Sequence, residues 1–232
     1  MIYRSIATLL GGILFLCAAS LAQEKAVTQT KETQSQITPK QALEMLMQGN
    51  ERFVENKLLT RNLQEQVKQT SKGQYPFAVV LGCIDSRVSN EIIFDQGIGD
   101  IFSARIAGNI TDEDLIGSME FGCKITGAKL ILVLGHSDCG AVKGACDNVE
   151  LGNLTYLLQK IKPAVDMTKT DGERNSKNKS FVEAVSKNNV LLAVRTIKDK
   201  SPVLKDMVDK GELMIVGAMY DVQTGKVTVY ED

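Results

Sequence analysis

The sequence predicts an α/β fold, in which a mainly parallel central sheet is flanked by helices. Residues 77–81 and 130–134 are continuous apolar runs of strand length, as expected of strands that are buried on both faces. The segments between and after these runs carry apolar residues at helical spacing. Strands that alternate with amphipathic helices form parallel sheets, so these two observations together predict the fold class.

The first helix of the folded part is predicted to begin after Thr38. Pro39 stands at the first helical position and Gln41 stands three residues after the cap, an arrangement that satisfies the free N–H groups of a helix start. Apolar residues then recur at helical spacing, at Ala42, Leu43, Leu46 and Phe53. We therefore expect one folded domain to span residues 38–232.

The later elements are predicted from the same two periodicities. Ser180 opens a capping-box pattern that predicts a helix to about Lys198, and Ser201 with Pro202 predicts another. The polar stretch 171–179 is expected to be a surface loop. The other predicted elements are strands at 101–106, 213–219 and 227–230 and a helix at 115–125.

Charge and composition exclude several functional classes. The 232 residues include 27 basic and 28 acidic side chains, so the chain has no basic footprint for nucleic acid and no polybasic membrane patch. His136 is the one histidine in the sequence, which excludes three-histidine zinc sites and H-E-x-x-H metalloproteases. The hydrophobic content of 44% is that of a globular protein rather than a disordered or collagen-like chain.

The amino terminus has the pattern of a secretory signal peptide. A basic start is followed by the apolar run 6–16 and by small residues before Gln23, so we expect residues 1–22 to be cleaved. A membrane anchor is the alternative, but the run is shorter than the roughly 20 residues that span a bilayer. Residues 23–37 contain almost no large apolar side chains and are expected to form a disordered leader. The mature protein is therefore predicted to be periplasmic or secreted, with no membrane attachment.

Residues suited to metal binding follow the two buried strands. Cys83 comes just after the first strand, and His136 and Cys139 follow the second. Ligands bind beyond the carboxyl ends of strands in an open parallel sheet, so we expect these residues to face one pocket. Two cysteines and one histidine leave the fourth tetrahedral position of a zinc ion open, as in catalytic sites. A disulfide between Cys83 and Cys139 is the alternative in an oxidising compartment.

The motifs around these residues resemble those of the β-class carbonic anhydrases. The C-x-D-S-R motif begins at Cys83, the R-x-A-G-N motif at Arg105 and the H-x-x-C motif at His136. The resemblance covers the folded domain and is strongest over residues 74–144. It implies a zinc lyase with one Zn2+ per chain, bound by Cys83, His136 and Cys139.

The resemblance also implies roles for four further residues. Asp85 and Arg87 match the catalytic acid–arginine pair of the family, in which the carboxylate accepts a hydrogen bond from zinc-bound hydroxide. Gln74 and Phe102 match substrate-binding positions, an amide that holds substrate oxygen and an aromatic side chain of the CO2 pocket. A structural ion pair is the alternative for Asp85 and Arg87, and plain core packing is the alternative for Phe102.

The activity implied by the resemblance is the reversible hydration of carbon dioxide to bicarbonate and a proton, by attack of zinc-bound hydroxide on CO2. Family members are at least dimers with active sites near the subunit interface, so a homodimer or homotetramer is expected. Hydrolysis of CS2 or COS is an alternative activity on the same scaffold. A zinc- or redox-sensing protein without turnover is the alternative of a different class, but it needs none of Asp85, Arg87 and Gln74.

Overall fold

The molecule is organised around a five-stranded sheet. This computed structural model describes residues 27–230, so the predicted signal peptide lies outside the described residues. The strands are β1 (Ala78–Gly82), β2 (Ile101–Arg105), β3 (Leu130–His136), β4 (Met214–Tyr220) and β5 (Val227–Tyr230). In the sheet order β2-β1-β3-β4-β5 the first four strands are parallel, and β5 runs antiparallel to β4. The predicted α/β fold with a mainly parallel sheet is confirmed.

Helices cover both faces of this sheet. In chain order they are α1 (Lys31–Gln36), α2 (Pro39–Val54), α3 (Leu63–Thr70), α4 (Asn90–Ile93), α5 (Glu113–Glu120), α6 (Gly140–Cys146), α7 (Gly152–Gln159), α8 (Lys162–Met167), α9 (Lys179–Lys200) and α10 (Pro202–Asp209). Neighbouring residues of β1 point to opposite faces, so Val80 belongs to the apolar cluster that includes Leu46 of α2, whereas Val79 belongs to the cluster that includes Val190 of α9. The central strands β1 and β3 are therefore buried along their whole length. Within residues 27–230, none of the helices is both long and apolar enough to cross a bilayer.

Several helix boundaries differ from the predictions. The cap of α9 is Asn178 rather than Ser180, because the Asn178 side chain accepts the N–H of Phe181. The helix α5 starts before the predicted Leu115, because the side chain of Asp112 caps it, and a π-helical turn continues it. The sequence does not predict α3, α7 and α8, since helices of eight residues or fewer are too short to establish an apolar period and these three lack a Ser-Pro start like that of α10.

A short helix lies within the segment that the sequence predicts to be disordered. The helix α1 starts with a capping box at Thr30, and its Gln34 side chain is buried. Gln34 Nε2 donates hydrogen bonds to the carbonyl oxygens of Pro76 (2.7 Å) and Thr126 (3.0 Å). Residues 31–36 of the predicted disordered leader thus form a helix in the structure. The amino-acid composition shows that this segment lacks apolar side chains, but it does not show that a polar side chain anchors it.

Replacing Gln34 by alanine is expected to lower the free energy of unfolding by about 1–3 kcal/mol, because two carbonyl oxygens at the base of the sheet lose their donor. Urea denaturation measures this loss. Gln36→Ala is the matched control, since it makes the same substitution in the same helix at an exposed position. Equal destabilisation by the two variants would contradict the anchoring role of Gln34.

Candidate metal centre

The two buried strands bring three potential ligands to one edge of the sheet. Strands β1 and β3 are adjacent and parallel, with Leu81 opposite Val133, so their carboxyl ends coincide. Cys83 follows β1, His136 ends β3, and Cys139 immediately precedes α6. Their ligand atoms all lie within 4.8 Å of one another, and all three residues are buried. The predicted convergence of Cys83, His136 and Cys139 is confirmed.

The imidazole of His136 offers one nitrogen to this cluster. Its Nδ1 lies 2.9 Å from the carbonyl oxygen of Ser137, and since a carbonyl oxygen only accepts, Nδ1 carries the proton. Nε2 therefore has a free lone pair, is buried and has no hydrogen-bond partner among the described residues. A buried acceptor without a partner is costly, and a metal ion would satisfy it.

The two sulfur atoms are held as a coupled pair. Cys83 Sγ accepts a hydrogen bond from the thiol of Cys139 and another from the backbone N–H of Gly108 at 3.3 Å, which lowers the pKa of Cys83 below its ordinary value. The hydrogen bond to Cys83 and burial together raise the pKa of Cys139. A cation that replaced the shared proton would be bound by two thiolates and one imidazole, the donor set that zinc prefers. The alternative of a Cys83–Cys139 disulfide is wrong, because both cysteines are free.

A carboxylate–guanidinium pair lies beside the three ligands. Arg87 Nε and Nη2 donate to the two oxygens of Asp85 at 2.9 and 2.8 Å, and the Arg87 backbone N–H donates to Oδ1 at 3.0 Å. These bonds hold the pKa of Asp85 well below its usual range. Asp85 Oδ2 lies 3.9 Å from His136 Nε2, so an ionised acceptor stands next to the metal-binding nitrogen.

Arg105 fixes the loop that carries Cys83 and Asp85. Its Nε donates to the carbonyl oxygen of Cys83 at 2.8 Å, and its Nη2 donates to the carbonyl oxygen of Asp85 at 2.7 Å. The sequence motif contains Arg105, but motif matching gave it no role. The hydrogen bonds from Arg105 to the carbonyl oxygens of Cys83 and Asp85 become apparent only in the folded structure, where β2 lies beside β1.

The two predicted substrate-binding residues lie away from the metal centre of their own chain. Gln74 is exposed and precedes β1, so it is separated from Cys83 by the full length of that strand, about 15 Å. Phe102 is opposite Val79 near the amino end of β2, with its ring centroid 6.3 Å from that of Phe121. The structure therefore does not bring Gln74 or Phe102 to the three ligands within one chain.

Fold and site together define an α/β zinc enzyme with three protein ligands and a fourth position for a reactant. A family model described as carbonic anhydrase matches residues 78–227. Carbonic anhydrase 2 of Mycobacterium tuberculosis (strain CDC 1551 / Oshkosh) is 34% identical over 199 residues, covering 82% of this chain and 92% of its own. The chain belongs to the carbonic anhydrase family, in its β class, and is a zinc enzyme that acts on CO2.

Solved structures with the same fold agree with this assignment. The β-carbonic anhydrase CafA of Aspergillus fumigatus has a TM-score of 0.63 at 26% identity, covering 72% of this chain and 81% of its own. One of two tetrameric β-carbonic anhydrases from Sordaria macrospora has a TM-score of 0.61 at 22% identity, covering 73% and 91% of the two chains. At that identity the second likeness concerns the fold alone.

Proposed function

We propose that this carbonic anhydrase hydrates CO2 reversibly to bicarbonate and a proton with Asp85 and Arg87 as its catalytic pair. The observation that carries the proposal is the 3.9 Å between Asp85 Oδ2 and His136 Nε2. Zinc, when bound, supplies the Lewis acidity that lowers the pKa of water toward about 7. The residues that hold the ion are Cys83, His136 and Cys139.

The pairing with Arg87 gives Asp85 a defined task. Because both carboxylate oxygens accept from Arg87, Asp85 stays ionised and its orientation is fixed. An ionised, oriented carboxylate accepts a hydrogen bond from the reacting water and directs a lone pair of that water toward the carbon of CO2. Arg87 acts by positioning Asp85 and by keeping it charged, and it also lies 3.7 Å from Asp138.

We infer that Gln74 and Phe102 serve the active site of a second copy of the chain. Strand β2 is an edge strand among the described residues, and apolar side chains near it are exposed: Phe121 is 52% exposed and Ile125 is 74% exposed. If two such edges met about a two-fold axis perpendicular to the strands, the amino end of one β2 would face the carboxyl end of the other. Gln74 and Phe102 would then approach the metal centre of the neighbouring chain.

Mixing two impaired variants tests this arrangement. Gln74→Ala is expected to lower kcat/KM by about 10- to 100-fold, the effect of one hydrogen bond to a charged group. When Gln74→Ala and Asp85→Asn chains are unfolded together and refolded, half of the dimers are mixed, and each mixed dimer contains one intact site. Activity should therefore return to about a quarter of the wild-type value, since one site in four is complete.

The control is to refold each variant alone at the same concentration, which should give only the low residual activity of that variant. If the mixture is no more active than the separately refolded variants, Gln74 does not act on a neighbouring site. If Gln74→Ala alone has wild-type kcat/KM, Gln74 has no role in substrate binding.

We also propose that the chain is exported and that residues 1–22 are removed. Support comes from the basic start, the apolar run and the small residues before Gln23. Expression of the full chain in a Gram-negative host, followed by fractionation and mass measurement, is expected to give a periplasmic protein that begins at Gln23. An uncleaved chain in the cytoplasmic or membrane fraction would contradict export by signal cleavage.

A further inference from the structure

We propose that Asn189 is a positioning residue for the zinc site and acts through Gly108 on the sulfur of Cys83. Asn189 lies on α9, far along the chain from the metal-binding loops, and its side chain is buried. Its Nδ2 donates a 2.8 Å hydrogen bond to the carbonyl oxygen of Gly108. The N–H of the same glycine donates to Cys83 Sγ at 3.3 Å. The inference rests on zinc being bound at this site.

The backbone at Gly108 explains why this link reaches the metal. Gly108 has φ +67°, a left-handed conformation that L side chains rarely adopt, and Asn109 follows with φ +42°. A Cβ at position 108 would lie 2.6 Å from Ile161 Cδ1. The left-handed backbone thus favours a glycine, which is also the residue with the widest choice of backbone conformations. A hydrogen bond from outside the turn is therefore needed to hold its N–H on the sulfur.

The bond made by Asn189 is unlike that of its polar neighbour on the same helix. Ser186, one turn earlier and equally buried, donates its Oγ–H to the carbonyl oxygen of Val182 within α9. Asn189 instead crosses 81 residues of sequence to reach the turn at Gly108. A buried amide in an apolar layer is costly unless it is hydrogen-bonded, so this contact determines where the Asn189 side chain points. It ties the turn rigidly to the longest helix of the described chain.

The hydrogen bond between Asn189 and Gly108 is expected to affect the thiolate of Cys83. An N–H that donates to a thiolate withdraws electron density from the sulfur and fixes the direction of its remaining lone pairs. Outer partners of this kind tune a metal site, and their loss typically weakens metal binding or activity by about 10- to 100-fold. Removal of the Asn189 amide is expected to loosen the Gly108 N–H from the sulfur and leave the thiolate more electron-rich.

The test uses the full chain with cobalt(II) in place of zinc. The energy of the sulfur-to-cobalt charge-transfer band reports the electron density on the two thiolates. In Asn189→Leu and Asn189→Ala we expect this band to shift to lower energy, and zinc affinity in competition with a chelator to fall by about tenfold. Ser186→Ala is the matched control, because the buried hydrogen bond that it removes lies within the same helix and does not involve the turn at Gly108.

Leucine is larger than alanine. If Asn189→Leu disturbs packing, the result for Asn189→Ala is therefore the one that tests the proposal. An unchanged band and unchanged zinc affinity in a folded Asn189 variant would overturn the proposal, even if its melting temperature were lowered. An equal shift in Ser186→Ala would overturn it as well, since the effect would then be general loosening of α9. A wild-type chain that bound neither zinc nor cobalt would instead refute the zinc site itself.

Discussion

Replacing Asp85 by asparagine is expected to lower kcat for CO2 hydration by about 10²- to 10³-fold, while the zinc content of the protein stays unchanged. The metal is retained because Asp85 is not one of the three clustered ligands. The amide keeps the shape of the carboxylate but carries no charge, and its NH2 group faces the donors of Arg87 where an acceptor stood before. Stopped-flow CO2 hydration, with metal content determined on the same sample, measures both quantities.

Asp138→Asn is the matched control for this variant. Asp138 also lies beside Arg87, at 3.7 Å, but its side chain is largely exposed and it also pairs with Lys143. Its φ of +58° is one that asparagine tolerates, so the substitution leaves the backbone intact. We expect activity close to that of the wild type. An equal loss in both variants would mean that activity depends on negative charge near Arg87 in general, and would contradict a specific role for Asp85.

The metal ligands could be predicted from the sequence because two independent local signals coincide there. The apolar runs that become β1 and β3 identify buried strands, and in a parallel sheet the ends of such strands share one edge. The convergence of Cys83 and His136 can therefore be predicted from their positions at the ends of these two strands. The same reasoning fails for Gln34, whose two hydrogen bonds depend on carbonyls 42 and 92 residues away.

The positions of Gln74 and Phe102 show a second limit of sequence reasoning. A motif match ties a residue to a site but does not say which copy of the chain contains that site. Gln74 stands at the amino end of β1 and Cys83 at its carboxyl end, so strand length separates them. Asn189 is beyond the reach of motifs for a different reason: nothing in the pattern of α9 distinguishes it from a core position.

Replacing Cys139 by serine is expected to weaken zinc binding by at least about 100-fold, beyond the usual cost of losing an outer partner. The serine hydroxyl does not ionise near neutral pH, so the site would lose one of its two thiolates. Chelator competition measures the affinity, and CO2 hydration activity is expected to fall in proportion to the zinc lost.

The thiol of Cys146 provides the comparison that separates ligand loss from damage to the core. Cys146 is as deeply buried as Cys139 and belongs to the same apolar cluster, but it is outside the group of ligand atoms. Cys146→Ser therefore exchanges a buried thiol for a hydroxyl at a similar cost in stability and should keep its zinc. If both variants lost the metal, weakened packing around α6 would explain the result; if neither did, Cys139 would not be a ligand and the three-residue site would be wrong.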